Sequence, residues 1–148
     1  GDMLDCSKAS FSIAPGQGVV VNCAADLTSM SAGQVPEGDV SFTTVSANNF
    51  TGNPFPTAID IQDISIEGES IGWGTENFMV WEGVPTVVEG SGFSYWDPSM
   101  DPEMKATTYY WGDMLDCSRA TYPIAAGQGV VINCAAGLTV TIKAPYDL

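Results

Sequence analysis

A stretch of 28 residues occurs twice in this chain, and that repetition limits what the chain can fold into more than any other feature. Residues 1–28 (GDMLDCSKASFSIAPGQGVVVNCAADLT) align without a gap on residues 112–139 (GDMLDCSRATYPIAAGQGVVINCAAGLT), and 21 of the 28 positions are identical. Gly1 falls on Gly112, an offset of 111, so the 148-residue chain is one full period followed by 37 residues of a second. Several differences are mild: Lys8 is matched by Arg119, Ser10 by Thr121, Phe11 by Tyr122 and Val21 by Ile132. A segment this short cannot bury its apolar face alone and needs strands from elsewhere. The intervening segment occurs once, so the chain holds two plugs of one kind and about one socket.

The plug itself reads as β-structure. Phe11 to Ile13 leads into Ala-Pro-Gly-Gln-Gly and then Val19-Val20-Val21-Asn22-Cys23. The second copy keeps both turn glycines, as Gly127 and Gly129, but exchanges Pro15 for Ala126. That turn depends on glycine's backbone freedom more than on proline. After Thr28 the copies part. The second continues as a period-2 strand with Leu138, Val140 and Ile142 on one face, whereas Ser29 to Gly38 reads as a linker.

The unique middle also alternates. Strands are expected near Val40–Val45, Phe78–Trp81, Pro85–Val88, Phe93–Trp96 and Thr107–Trp111, with Asn48 to Pro56 dense in turn formers and one short turn at Asp101–Lys105. Between Ala58 and Ile66 the alternation slips phase at Gln62-Asp63, which predicts a bulge or tight corner that restores one buried face. No stretch carries a helical stripe. The expectation is an all-β chain, a β-sandwich or jelly-roll-like fold with a duplicated terminal β-segment: residues 1–33 form the N-terminal copy plus linker, and 34–148 the sandwich ending in the second copy.

A net charge of −14, from 18 acidic and 4 basic residues, gives no basic footprint for nucleic acid or anionic lipid. No run is long enough to span a membrane as a helix, so no membrane insertion is expected. The chain has no His, which removes the usual general base, and nothing selects one catalytic pair among its acids. No enzyme is expected, and no catalytic residue is assigned.

Four cysteines, Cys6, Cys23, Cys117 and Cys134, place one pair in each copy at the same spacing of 17. Of the three connectivities, only Cys6–Cys23 with Cys117–Cys134 treats both copies alike within one chain; the other reading is four free thiols. The disulfide reading implies an oxidising compartment, hence a secreted protein outside the cell or on its surface, and a start at Gly1 fits a processed chain.

Three further features invite a functional reading. Trp96, Tyr109 and Trp111 are candidates for a glycan-stacking platform, although aromatic residues in strands more often fill cores. Asn49-Phe-Thr51 is the one glycosylation sequon. Asp97, Asp101 and Glu103 resemble the loop acids of calcium-bearing β-domains, but neither the EF-hand loop nor a Gly-Asp-rich calcium repeat is present, so no metal or cofactor is assigned.

Thr51-Gly-Asn-Pro-Phe-Pro56, followed by Ile59-Asp-Ile-Gln-Asp-Ile64 and a Gly-Gln-Gly turn before an apolar strand, resembles uncharacterised secreted β-repeat proteins in which units of comparable size recur in tandem. The resemblance implies a surface or fibre component and carries over no catalytic residue.

Two identical plugs and one socket imply a homopolymer, with the chain as its own head-to-tail partner through strand exchange. Phe11, Ile13, Val19 and Val21, or their counterparts Tyr122, Ile124, Val130 and Ile132, form the assembling face. The alternatives are a monomer with internal pseudo-symmetry and a secreted carbohydrate-binding module.

Overall fold

The computed structural model describes residues 35–45, 47–72, 74–81, 85–88 and 92–146, together with Ser12. The first copy of the repeat otherwise lies outside the described residues, and with it Cys6, Phe11, Ile13, Val19, Val21 and Cys23.

The described chain is all-β and sandwich-like, as its alternation predicts. The strands are β1 (Val40–Thr43), β2 (Ala47–Gly52), β3 (Ile59–Asp60), β4 (Ile64–Glu67), β5 (Asn77–Trp81), β6 (Pro85–Val87), β7 (Phe93–Trp96), β8 (Tyr110–Asp113), β9 (Pro123–Ile124), β10 (Gly129–Cys134) and β11 (Thr139–Ile142). One antiparallel sheet has the order β1-β11-β4. The larger one runs β2-β10-β5-β7-β8, with β6 also paired to β5. A short β3-β9 pair stands apart.

The two main sheets share one bent ribbon. β1 runs against β11 with Thr43 opposite Thr139, and β2 runs against β10 with Ala47 opposite Cys134. Both strands of the ribbon pass from one sheet to the other at the same corner. Thr44, 3% exposed, holds that corner: its amide donates to Leu138 O at 2.8 Å, its hydroxyl donates to Ala135 O at 2.7 Å, and it accepts from Leu138 N at 2.9 Å. A crossing strand would otherwise leave these peptide groups without partners in the interior.

Between the sheets lies a continuous core that includes Val40, Ile64, Ile66, Val140 and Ile142 from one sheet and Phe78, Val80, Val130, Ile132 and Trp111 from the other. The phase slip at Gln62-Asp63 resolves into a 3₁₀ turn over Ile61–Asp63. Asp60 accepts from Gln62 N and Asp63 accepts from Asp60 N, a reciprocal cap, so Ile59, Ile61, Ile64 and Ile66 all become buried. Gln62 fixes the corner to β8 by donating to Trp111 O and Ala120 O, both at 2.7 Å.

Two local expectations shift and one holds. The stretch from Asn48, dense in turn formers, is strand as far as Gly52, because β10 offers a ladder for six residues. The last predicted middle strand begins at Tyr110, not Thr107, and runs into the repeated segment. The short turn expected at Asp101–Lys105 is present, closed by Met104 N on Asp101 O at 3.0 Å and capped by the Asp101 side chain, and a 3₁₀ turn at Pro98–Met100 precedes it.

Candidate functional site

The feature that organises both sheets is the second copy of the repeat. It supplies the end of β8, all of β9 and β10, and the first residue of β11. β10 is bonded on one side to β2 and on the other to β5, and β11 to β1 and β4. Without this segment and the three residues that complete β11, neither sheet would have a centre, because β2 does not pair with β5, nor β1 with β4. The slot between these strands is thus the socket, and residues 112–142 fill it from within the same chain.

The expected assembling residues of this copy face inward. Ile124, Val130 and Ile132 are buried, and half-buried Tyr122 packs its ring on Phe78 and Phe93. The turn before β10 is set by Gly127 at φ 71°, where a side chain would be strained. There Gln128 accepts from Ala125 N through its side chain at 2.8 Å and from Asn53 N through its carbonyl at 3.1 Å.

The folded span closes on itself. Tyr146 donates through its hydroxyl to Pro36 O at 3.1 Å, Ala144 N donates to Asp39 Oδ1 at 2.8 Å, and the Tyr146 ring packs edge-on against Phe55. Residues 36 and 146 therefore meet, and the span between them is 111 residues, one repeat period. Nothing in the sequence pattern announces this contact or the role of Thr44.

The pairing Cys117–Cys134 is not formed: both thiols are free. Cys134 ends β10, and Cys117 sits in the turn after β8, held by its amide on Asp113 O at 3.1 Å. The row Asn133, Asn77, Ser94, Gly112 counts three strand spacings between them. That is about 14 Å, twice the reach of a disulfide. Burial pushes both thiols' pKa up, helped at Cys117 by the Asp116 and Asp113 charges.

Asn49 does not present its side chain to solvent in the fold. It is 6% exposed, its amide donates to the carbonyls of Val45, Ala47 and Ile132, and its oxygen accepts from Val45 N at 2.7 Å. Nor do the three aromatics form a platform. Trp111 is fully buried with its indole N–H on Ile64 O at 2.8 Å, and Trp96 donates to Asp113 O at 3.0 Å. Half-buried Tyr109 stacks on Tyr95 and lines a groove of about 500 Å³ with Gln62, Ser65, Arg119 and Lys143.

The loop acids are engaged by their own backbone. Asp97 accepts from the Ser99 hydroxyl and amide, which lower its pKa. Asp101 accepts from the amides of Glu103, Ala106 and Lys105, which hold its carboxyl below the ordinary value, and Glu103 pairs with Lys105 at 2.8 Å. Among the described residues no cluster of three or more His, Cys, Asp or Glu is placed to hold a metal ion. The one buried side-chain oxygen without a partner among them is Glu76 Oε2; its other oxygen accepts from Gly72 N and the Thr75 hydroxyl.

Compared with family models, with curated proteins and with solved structures, the chain matches none.

Proposed function

We propose that this protein is a structural subunit of an extracellular filament or surface layer, built of 111-residue units joined head to tail, each closed by a copy of the repeated segment. The observation that carries the reading is the place of the second copy as β10, the strand between β2 and β5 in the larger sheet. Residues 36–146 make one closed unit. Residues 1–28 repeat its closing segment and so fit a neighbouring unit of the same kind, in another chain or in the same polypeptide. The placement outside the cell rests on the resemblance to secreted β-repeat proteins, since Cys117 and Cys134 do not pair and the same register in the first copy would keep Cys6 and Cys23 apart.

The test is a chain in which residues 36–111 are placed directly before Gly1, which restores the register because Gly1 takes the place of Gly112. Under this reading the added strands are closed by the first copy. Two units fold, and the amides of residues 19–23 become protected from hydrogen exchange, though less than those of 130–134 because Ser29 and Ser31 stand in place of Val140 and Ile142. Proteolysis that removes the added residues while sparing 36–146 would refute it.

A further inference from the structure

We infer that the slot of this unit accepts either copy of the repeated segment, so that residues 1–111 and 36–146 are two frames of one fold, and that residues 140 and 142 select the second frame. The inference goes beyond the proposed assembly and holds whether or not units associate.

The first support is a position-by-position match of burial to identity. At Ala120, Ile124, Val130, Val131, Cys134 and Leu138, all buried, the first copy has the same residue, and at buried Ile132 it has Val21. Of the seven differences between the copies, five fall at exposed positions: Arg119, Thr121, Pro123, Ala126 and Gly137. The first copy therefore carries the same buried residues that seat β9 and β10, short only of the one methyl group by which Ile132 exceeds Val21.

The second support is the meeting of the unit's ends. In the repeat offset, residue 35 corresponds to Tyr146, which touches Pro36. A first copy seated in the slot would thus deliver its chain directly to residue 36, without a spanning linker. Residues 1–111 are in this sense a circular permutation of 36–146, a rearrangement that folds with adjoining ends commonly tolerate.

The choice between frames falls at β11. Val140 lies between Phe42 and Ile66, and Ile142 between Val40 and Ile64, both fully buried. The first copy has Ser29 and Ser31 at these places. Exchanging two aliphatic side chains for hydroxyls favours the second frame by about 10³-fold, from the transfer preference of a valine and an isoleucine. Two smaller differences act in the same direction. Gly137 adopts φ 83°, where the first copy has Asp26, and the Tyr122 hydroxyl that accepts from Gln128 Nε2 is missing in Phe11. The second copy is thereby locked in place, and the first is the one left for a neighbour.

The full chain carries its own reporters. Cys134 is buried in the second frame and would be released in the first, where Cys23 would take its place. Brief alkylation of the native protein, followed by peptide mapping, reads both sites. In the wild type Cys134 is expected to be protected and Cys23 reactive. The double substitution Ser29→Val and Ser31→Ile, which lies outside the 36–146 span, should move the ratio of the two toward parity by about 10³-fold. The change should be the same at all protein concentrations. The complementary variant, Val140→Ser with Ile142→Ser, removes the same preference from the other copy and should likewise move the two sites toward parity, Cys134 gaining reactivity as Cys23 loses it. If the S29V/S31I chain labels as the wild type does, if both cysteines become exposed together, or if the shift depends on concentration, the two-frame inference is wrong. The two-unit chain decides the assembly reading separately.

Discussion

Replacing Asn49 by alanine removes the amide that ties the start of β2 to β10 just beyond the corner where the ribbon changes sheets. Its bond to Ile132 O is buried, while those to Val45 and Ala47 are only partly so. The Ile132 carbonyl loses a donor where water cannot replace it, at ~1–3 kcal/mol, and the part-buried bonds contribute ~0.5–1.5 kcal/mol each before rehydration. Allowing for that rehydration, a loss of ~2–4 kcal/mol is expected, a large share of the ~5–15 kcal/mol typical of a domain. Neighbouring Asn48 is the control: it is exposed and its side chain accepts from Asn133 Nδ2, so Asn48→Ala should cost under ~0.5 kcal/mol. Urea unfolding followed by tryptophan fluorescence measures both, and N49A should lower the midpoint at unchanged slope. A loss for N49A within ~0.5 kcal/mol of N48A would refute the buried clamp. The same geometry forbids a sugar on Asn49, so the folded fraction from a glycosylating host should have the mass of the unmodified chain.

Further outcomes follow from the same structure. Oxidative peptide mapping should find no Cys117–Cys134 link, because three strand spacings separate them; such a link in folded protein would contradict the register. Asp101 has a depressed carboxyl pKa, so its stabilisation is complete above the unfolded value of about 4 and is lost as pH falls through the lower folded value. Asp101→Asn should therefore lower the thermal midpoint near neutrality, with the gap from wild type closing below about pH 4; a gap constant with pH would count against it. Trp111→Phe leaves Ile64 O without its indole donor and opens a void, for a loss of ~2–3 kcal/mol in the same urea assay. Tyr110, buried with its hydroxyl on Cys117 O, has its pKa pushed up to about 12, and Tyr110→Phe should remove the last step of an ultraviolet titration.

Local pattern made much of this molecule legible. The alternation of Leu138, Val140 and Ile142 marks a strand with one buried face, and all three are buried. The slip between Ile61 and Ile64 marks a corner, and the 3₁₀ turn lies there. Both readings succeed because side-chain period and turn chemistry are properties of the chain itself. Neighbours are another matter. Period-2 alternation says which face is inside but not which strands lie alongside, so the central places of β10 and β11 appear only in the sheets. The same limit accounts for the misreadings: the cysteines are 17 residues apart in sequence, but Cys134 ends β10 whereas Cys117 sits in the turn beyond β8, three strand spacings away. Asn49 reads as a sequon because its burial depends on Ile132, 83 residues away.

The repeat divides along the same line. Sequence alone establishes that two copies share one pattern of inward-facing residues, that the pattern is β, and that serines replace the aliphatic residues at 29 and 31. Only the tertiary structure shows that the second copy fills the slot, that Val140 and Ile142 lie at its closed core, and that residues 36 and 146 meet. Burial and end-to-end closure are distances between parts of the chain far apart in sequence, and those distances exist only once both sheets have closed around the shared segment.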